Sequence, residues 1–581
     1  MLPKFSPPNL AVFPAIASLL LLSCSSNTQS TTEQVASKEP IVCYTPKTDD
    51  KEWYTSGKKA PKFENLHGIN FTITTKNPEA QEFFNQGLML AYGFNHAEAA
   101  RSFFEASRLD STCAMAYWGF AYVLGPNYNG GMEEDNFERA YEAARKAERL
   151  SGNCTPKEVA LIKALTKRYA ADPPEDRSAL DVAYAEAMKE VYRQFSSDPD
   201  IGALYAESIM DLHPWDLYDK DTKAPKQWTP EIVATLEHLM KRNPNHPGAH
   251  HFYIHAMEAS ASPEKAMLSA ALLDSLVRGS GHLVHMPSHI YINTGDYHLG
   301  SLANMYAVQV DSVYTTTCHA QGAYPLAYYP HNYHFLTATA TLEGNSKLAW
   351  EAAKKLHEHT SEEIMRMPGW GTLQHYYSIP YYVAVKLSIW DEILSLPAPG
   401  EDLVYPSAIW RYARGMAYLG KNDLENARKE ASLLKSLAAD STLKDLTIWD
   451  LNTTEDLVNI ASKVLTAGIA VKENRLNDAI TLLKEAVVIE DALNYNEPPD
   501  WFFSVRHDLG AVLLKAGKAK EAEQVYRDDL KIWPKNGWAL VGLYNALSAQ
   551  NKKSDAETTK AMFEEAWKFA DFSIASSSGL N

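Results

Sequence analysis

The chain has little cysteine and lacks the common motifs of enzyme active sites. Only five of its 581 residues are cysteines, and no two form a CxxC pair, so the usual redox motif is absent. It also has no HExxH, GxSxG, GxxxxGK[ST] or GxGxxG motif. The sequence therefore gives no sign of a metalloprotease helix, a nucleophile elbow, a P-loop or a dinucleotide-binding fingerprint, respectively. Nothing in the sequence compels an enzyme assignment, and a binding protein is favoured over an enzyme.

Positive charge is also scarce. The chain has 55 basic against 72 acidic residues and a formal net charge of −17. No long run of lysine and arginine overrides this average, so nucleic acid, whose phosphates an acidic surface repels, is not an expected partner. Apolar residues make up 45% and charged residues 22% of the chain. Because these are ordinary values for globular proteins, most of the chain is expected to fold.

Long apolar runs are missing after the N-terminus. No later stretch has about 18 uninterrupted apolar residues, so we predict no transmembrane helix. At the N-terminus, Lys4 precedes the apolar run Leu10–Leu22, which is followed by Ser23 and Cys24. This ending resembles the lipobox of bacterial lipoproteins, in which the chain is cut before a cysteine that becomes lipidated. An ordinary signal peptide with an incidental cysteine is the alternative.

The lipobox resemblance implies a signal peptide over 1–23 and a lipid anchor at Cys24. Ser25 replaces the aspartate of inner-membrane retention signals, which favours an outer-membrane lipoprotein that faces the periplasm. Residues 24–61 are rich in Ser, Thr, Lys and Glu and are predicted to be a flexible tether. Two later cysteines, Cys113 and Cys154, each begin a predicted helix, and either a disulfide or two free buried thiols fits them.

Helical repeats account for most of the remaining chain. The stretch Glu79–Ser111 places the small residues Gly87 and Ala99 where two helices would cross, with large side chains around them. It resembles the tetratricopeptide-repeat (TPR) consensus, in which helix–turn–helix units stack into a solenoid. The stretches HMPSHIYINTGDY and PHNYHF resemble a branch of secreted bacterial TPR proteins, a resemblance that implies no particular activity.

The TPR resemblance extends roughly over residues 79–572 and implies an all-α, TPR-like α-solenoid. We divide it into an N-terminal array, 62–400, and a C-terminal array, 401–581. Two loops stand out. Gly125–Gly131 is turn-rich and is predicted to line one end of a groove. The other is the unusually long connection between the helices predicted over 200–212 and 229–242. It holds His213–Tyr218, and either it is functional or its Trp215 caps the hydrophobic seam between repeats.

Histidines are concentrated in the middle of the chain. His251 and His255 are four residues apart, and so are His285 and His289, so each pair points to one side of a helix. The two pairs are offset by 34 residues, the length of one TPR repeat. Two neighbouring repeats are therefore predicted to present matching histidine pairs to one surface.

The repeat register extends this surface. In TPR arrays, the concave groove is lined by particular positions of the first helix of each repeat. The resemblance carries eight polar residues of this chain onto those positions and so predicts the ligand-binding groove, which consists of His251, His255, Glu258, His282, His285, His289, His331 and His334.

The paired histidines are candidate metal ligands. Side chains from neighbouring helices can meet around one ion, so His251, His255, His285 and His289 are predicted to form a metal site, with Glu258 as an oxygen ligand or as an acceptor behind a histidine. Imidazole suits Zn, Cu, Ni and Fe, and the sequence does not choose among these divalent transition metals. Alternatively, the histidines bind an organic ligand together with aromatic rings, or form a hydrogen-bonded network.

Three function classes follow from these observations. The first is a lipid-anchored cell-envelope TPR scaffold that binds a protein, a peptide or a small ligand in its concave groove. The second is a metalloprotein, including a metal-dependent enzyme, that uses the paired histidines. The third is a structural assembly factor for envelope complexes, which needs no chemistry in the groove.

Overall fold

Helices account for nearly all the regular secondary structure. The computed structural model describes residues 51–318 and 324–580, with the side chains of 316–318 left aside. The α-helices run in this order: Lys51–Thr55, Pro78–Tyr92, His96–Leu109, Ala114–Val123, Phe137–Leu150, Pro156–Leu165, Ser178–Gln194, Pro199–Met210, Thr229–Arg242, Pro247–Glu258, Met267–Leu276, Gly281–His285, Pro287–Thr294, Tyr297–Cys318, Tyr329–Glu343, Ser346–Glu358, Gly371–Lys386, Trp390–Ser395, Val404–Gly420, Leu424–Leu437, Thr442–Asp445, Thr454–Lys472, Leu476–Ala492, Arg506–Lys515, Ala519–Ile532, Gly537–Ala549 and Lys553–Ala566.

A few short elements complete the described structure. The strands Thr447–Ile448 and Asn452–Thr453 pair antiparallel in a small hairpin. A single π-helical turn, Tyr324–Tyr328, leads into the helix that carries His331. Short 3-10 turns occupy Glu134–Asn136, Ser151–Asn153, Pro263–Ala266 and Ile364–Arg366.

Local sequence signals explain where the helices start and pack. Asn77 accepts hydrogen bonds from the backbone N–H groups of Glu79 and Ala80, which satisfies donors that have no partner within the helix. The next helix sends Phe103 against Gly87: a Cβ atom added at Gly87 would lie 2.9 Å from the ring. The small residue predicted at the crossing therefore permits the two helices to approach. Successive helices contact one another along the chain, and the predicted all-α, TPR-like α-solenoid is confirmed.

Distant repeats also contact one another. The first long helix, Pro78–Tyr92, packs against Pro247–Glu258, which carries His251 and His255. From the other end of the chain, Trp538 donates its Nε1–H to the carbonyl of Thr341 at 3.1 Å. Helices from both ends of the chain therefore contact helices that carry the predicted groove histidines. The predicted groove side chains lie in the interior, not on an open concave face.

Proline affects the helices of two segments. Around the second histidine pair the chain forms two helices, Gly281–His285 and Pro287–Thr294, because Pro287 has no N–H to continue the first helix. In the helix Gly371–Lys386, by contrast, Pro380 lies inside the helix. Here the tertiary packing of an almost entirely buried segment tolerates the lost hydrogen bond.

The remaining predictions about the chain's organisation concern its ends and its thiols. Of the predicted tether, 24–61, the part from residue 51 is described; its helix Lys51–Thr55 packs Tyr54 edge-on against Phe104, with ring centroids 4.9 Å apart.

Cys113 and Cys154 are free thiols, so the disulfide alternative is not observed. Cys24 lies outside the described residues. Among the described helices, none is both long and apolar enough to cross a bilayer.

Candidate functional site

The eight predicted groove residues come from four helices and point into the interior. His251, His255 and Glu258 lie on Pro247–Glu258, and the others on the next helices of the solenoid. Seven of the eight are at most 2% exposed, and His331 is partly buried. Burying so many polar groups costs free energy unless each is hydrogen-bonded or holds an ion. Their partners therefore indicate what the cluster does.

Three of these histidines converge in what we call the first triad, which consists of His251, His255 and His282. One ring nitrogen of each lies within 4.8 Å of those of the other two. The Nε2 atoms of His251 and His282 are 3.2 Å apart. The Nε2 atom of His255 and the Nδ1 atom of His282 are buried without a hydrogen-bond partner among the described residues.

A second triad, which consists of His285, His289 and His331, lies beside the first. Its ring nitrogens also meet within 4.8 Å, and the Nε2 atoms of His285 and His289 are 2.9 Å apart. The Nδ1 atom of His331 is buried without a described partner. The rings of His255 and His289 are 5.7 Å apart between centroids, so the two triads are neighbours.

Acceptors behind the rings fix which nitrogen faces inward. His251 Nδ1 lies 2.6 Å from the carbonyl oxygen of Tyr92, so Nδ1 must carry the proton. His285 Nδ1 lies 2.6 Å from Oδ1 of Asn304, whose amide is oriented because Nδ2 donates to the carbonyl of Gly300 at 2.8 Å. In both histidines Nε2 carries a lone pair aimed into its triad, at hydrogen-bond distance from the Nε2 atom of His282 or His289. This is the arrangement found behind metal-ligating histidines.

Glu258 connects the two triads. Its Oε1 atom accepts from His255 Nδ1 at 3.0 Å, and its Oε2 atom lies 2.8 Å from His289 Nδ1. A second carboxylate, Glu497, places Oε2 2.6 Å from the same Nδ1 of His289. Neither oxygen forms a hydrogen bond of good geometry with this Nδ1 atom. The Nδ1 atom of His289 and the Oε2 atoms of Glu258 and Glu497 thus lie close together, as they would around a shared proton or cation.

Burial sets the protonation of the triads. It lowers the pKa of His251, His282, His285 and His331, and neighbouring imidazoles lower the pKa of each further. These rings are therefore neutral, which is the form that binds a metal. In His289, burial also lowers the pKa, but the carboxylates of Glu258 and Glu497 outweigh it and raise the pKa to about 9. His289 is therefore protonated on both nitrogens without metal, and binding an ion through Nε2 would release one proton.

A cavity of about 870 Å³ adjoins both triads. Its wall includes two residues of the first triad, two of the second, and Glu497; these are His255, His282, His289, His331 and Glu497. A molecule in the cavity would therefore meet both triads. This volume is in the usual range for small-molecule sites.

The two loops singled out in the sequence both line this cavity. All seven residues of Gly125–Gly131 belong to its wall. Tyr128 in that loop stacks on Trp215 of the other long loop, with centroids 5.5 Å apart, and Tyr128 lies 5.2 Å from the His255 ring. Trp215 thus lies at the site itself, in contact with the first triad, and the loops form an aromatic wall beside the histidines.

The structure rearranges the metal site predicted from the sequence. The four predicted ligands divide into two pairs: His251 and His255 are joined by His282, while His285 and His289 are joined by His331. His334 lies apart from both triads, with its ring 5.4 Å from His375 and stacked on Phe502 at 5.1 Å.

Sequence reasoning missed Glu497, Asn304 and the Tyr92 carbonyl. Glu497 lies more than 200 residues from His289 in the chain and is one of many acidic residues, so no local signal marks it. Asn304 faces His285 from the partner helix of the same repeat, where a buried asparagine among apolar residues was the available clue. A contact to a backbone carbonyl such as that of Tyr92 cannot be predicted from the pattern of side chains.

Comparisons with known proteins found no family for this chain and only low structural similarity. No protein-family model and no curated protein sequence matches the chain. Among solved structures, it is similar to human IFIT1, solved as a dimer with m7Gppp-AAAA, at 12% identity and a TM-score of 0.31, over 79% of this chain and 90% of that one. It is also similar to yeast Tom70 at 12% identity and a TM-score of 0.28, over 84% and 100%. Such low scores carry no argument about function.

The class of protein therefore rests on the helix packing and the site. The chain is an all-α, TPR-like α-solenoid. Its distinguishing feature is a cluster of buried histidines and glutamates beside a cavity.

Proposed function

We propose that this protein binds a transition metal through its buried histidine cluster. The observation that carries the proposal is the pairing of inward-facing Nε2 lone pairs with fixed acceptors behind the rings, as in His251 and His285. A merely structural network would satisfy its nitrogens, yet several remain without a described partner. The donor set suits Zn, Cu, Ni or Fe, since imidazole binds all four.

Metal analysis of the purified protein tests the proposal. We expect wild-type protein, purified without chelator, to contain stoichiometric transition metal. The double variant His251→Ala/His285→Ala removes one oriented ligand from each triad and should lower the metal content at least about tenfold, with little loss of helicity by circular dichroism. His238→Ala, at an exposed position of the helix Thr229–Arg242, is the control. Metal-free wild-type protein, or full metal content in the double variant, would contradict the proposal.

We further propose that Cys24 anchors the protein to a membrane of the cell envelope, in the outer membrane and facing the periplasm. The apolar run followed by Leu-Leu-Ser-Cys supports this proposal. In cell fractionation, wild-type protein should sediment with membranes, and Cys24→Ala should move it to the soluble fraction. Cys43→Ala, a cysteine downstream of the lipobox, should remain membrane-bound. Membrane association of the Cys24→Ala variant would count against lipidation.

A second candidate function is the binding of an organic or peptide ligand in the cavity without metal. The aromatic wall favours it, because Tyr128, Trp215, Trp370 and Trp449 all face a space of about 870 Å³ and aromatic rings provide large apolar contact. Mass spectrometry of a solvent extract of metal-free protein distinguishes this candidate. A stoichiometric organic molecule that is present in the wild-type extract and lost in Trp215→Ala would support this candidate. If the wild-type extract contains no such molecule, the metal-binding function is favoured.

A further inference from the structure

We propose that the cluster holds two transition-metal ions side by side, one in each histidine triad, and that Glu258 orients one histidine in each. This inference rests on the proposed metal-binding function and deepens it. It concerns the number of ions and the division of ligands between them.

The donor atoms are too many for a single ion. The two triads supply six imidazoles, with two carboxylates beside them. Protein sites for an ion such as Zn²⁺ commonly hold about four ligands, at about 2.0–2.1 Å for imidazole nitrogen. Six histidines therefore fit two ions with three protein ligands each, a number that leaves a coordination position open on each ion.

The close nitrogen pairs mark two separate centres. Two ligands of one ion, each about 2.0–2.1 Å from it at angles between a right angle and a tetrahedral one, lie roughly 2.8–3.4 Å apart. The Nε2 atoms of His251 and His282 are 3.2 Å apart in the first triad. Those of His285 and His289 are 2.9 Å apart in the second. Each triad thus already has a pair of nitrogens at a spacing that suits a common ion.

Each triad has its own supports. The carbonyl of Tyr92 lies behind His251, and Asn304 lies behind His285. Glu258 is the one support that both share, since Oε1 faces His255 and Oε2 faces His289. Glu497 adds a second carboxylate behind His289 only. Loss of Glu258 should therefore weaken both ions, while loss of a triad histidine should weaken one.

The two proposed ions would face the same cavity, so one ligand could contact both. His255 and His282 of the first triad, and His289 and His331 of the second, face the same cavity. Paired ions in such a position can bind two oxygen or nitrogen atoms of one ligand. The ligand class that fits is a small molecule with two adjacent donor atoms and an apolar body for the aromatic wall.

Titration of the stripped full-length protein with Co²⁺, Zn²⁺ and Cu²⁺, followed by elemental analysis after desalting, counts the ions. For at least one of these metals, we expect two ions per chain in wild type and in the control His238→Ala. His251→Ala, in the first triad, and His331→Ala, in the second, should each retain one. In Glu258→Gln, both dissociation constants should rise by about 10–100-fold.

Each other outcome is decisive. One ion per chain in wild type with every metal, or loss of both ions in each single-histidine variant, would overturn the two-ion assignment while leaving metal binding intact. No ion at all would overturn the proposed function itself. If circular dichroism shows that His251→Ala or His331→Ala is unfolded, His282→Asn and His289→Asn replace them with the same expected counts. As a second readout, Cu²⁺-loaded wild type should show spin coupling that both single-triad variants lack.

Discussion

Replacing Arg168 with methionine is expected to lower the free energy of unfolding by about 3–5 kcal/mol, because it leaves buried carboxylates without their cation. Arg168 is 1% exposed, and its Nη2 atom donates to Asp211 at 2.7 Å and to the carbonyl of Pro126 at 2.9 Å. Pro126 belongs to the loop that lines the cavity. The same change therefore loosens the aromatic wall beside the first triad.

The loss of stability should depend on pH in a defined direction. Burial raises the pKa of Asp211 to about 7, against the effect of Arg168, and it raises the pKa of Glu207 to about 8 with a contribution from Asp211. Without the cation, Asp211 should hold its proton even more tightly in the folded state. A carboxyl whose folded pKa exceeds its unfolded value destabilises the fold increasingly as pH rises between the two. The deficit of Arg168→Met should thus be nearly constant below about pH 7 and grow above it, where Asp211 has lost its proton in the wild type but keeps it in the variant.

Chemical denaturation of wild type and variant at several pH values measures this deficit. Arg193→Met is the matched control, since Arg193 pairs with Glu190 at 3.3 Å but both side chains are exposed, at 74% and 57%. Exposed pairs contribute only about 0–1 kcal/mol. If Arg168→Met cost no more than this control, or if its deficit shrank as pH rose, the account of the buried pair would be wrong.

Replacing Gly295 with alanine should destabilise the protein more than the same change at Gly517. Both glycines end helix–turn segments in the left-handed region, with φ of 76° and 73°, where alanine costs about 1–2 kcal/mol. The difference lies in their surroundings. A Cβ atom at Gly295 would lie 2.1 Å from the carbonyl oxygen of Pro534, whereas one at Gly517 would meet nothing within 4 Å.

The steric conflict at Gly295 involves backbone, so it cannot be relieved by a side-chain rotation. We therefore expect Gly295→Ala to cost about 1–3 kcal/mol beyond Gly517→Ala. Thermal and denaturant unfolding of the two variants, compared with wild type, isolates this difference because the backbone conformation is matched. Equal losses of stability in the two variants would show that the backbone around Gly295 and Pro534 can shift to accommodate the added methyl group.

Much of the fold follows from local sequence. Helix–turn–helix units could be predicted because caps such as Asn77 and small residues such as Gly87 act within a few residues or between successive helices. The two loops at the cavity were also marked, by their turn residues and their length. A local signal does not decide the structure where packing competes with it, as at Pro380, which lies inside a helix.

The histidine surface was predictable for the same reason. The four-residue spacing within each pair and the 34-residue spacing between pairs are properties of one helix and of one repeat. They place His251, His255, His285 and His289 on the same side of neighbouring helices without any knowledge of the packing. The sequence by itself thus determined the repeat architecture and the side to which these histidines point.

The tertiary structure decided how that surface is used. Contacts between repeats far apart in the chain enclose it, so that groove positions became interior positions beside a cavity. The same contacts bring Glu497 to His289 and the Tyr92 carbonyl to His251. They also divide the four paired histidines between two triads completed by His282 and His331. These arrangements depend on how the whole solenoid curves, a property summed over many helix crossings that no single spacing in the sequence encodes.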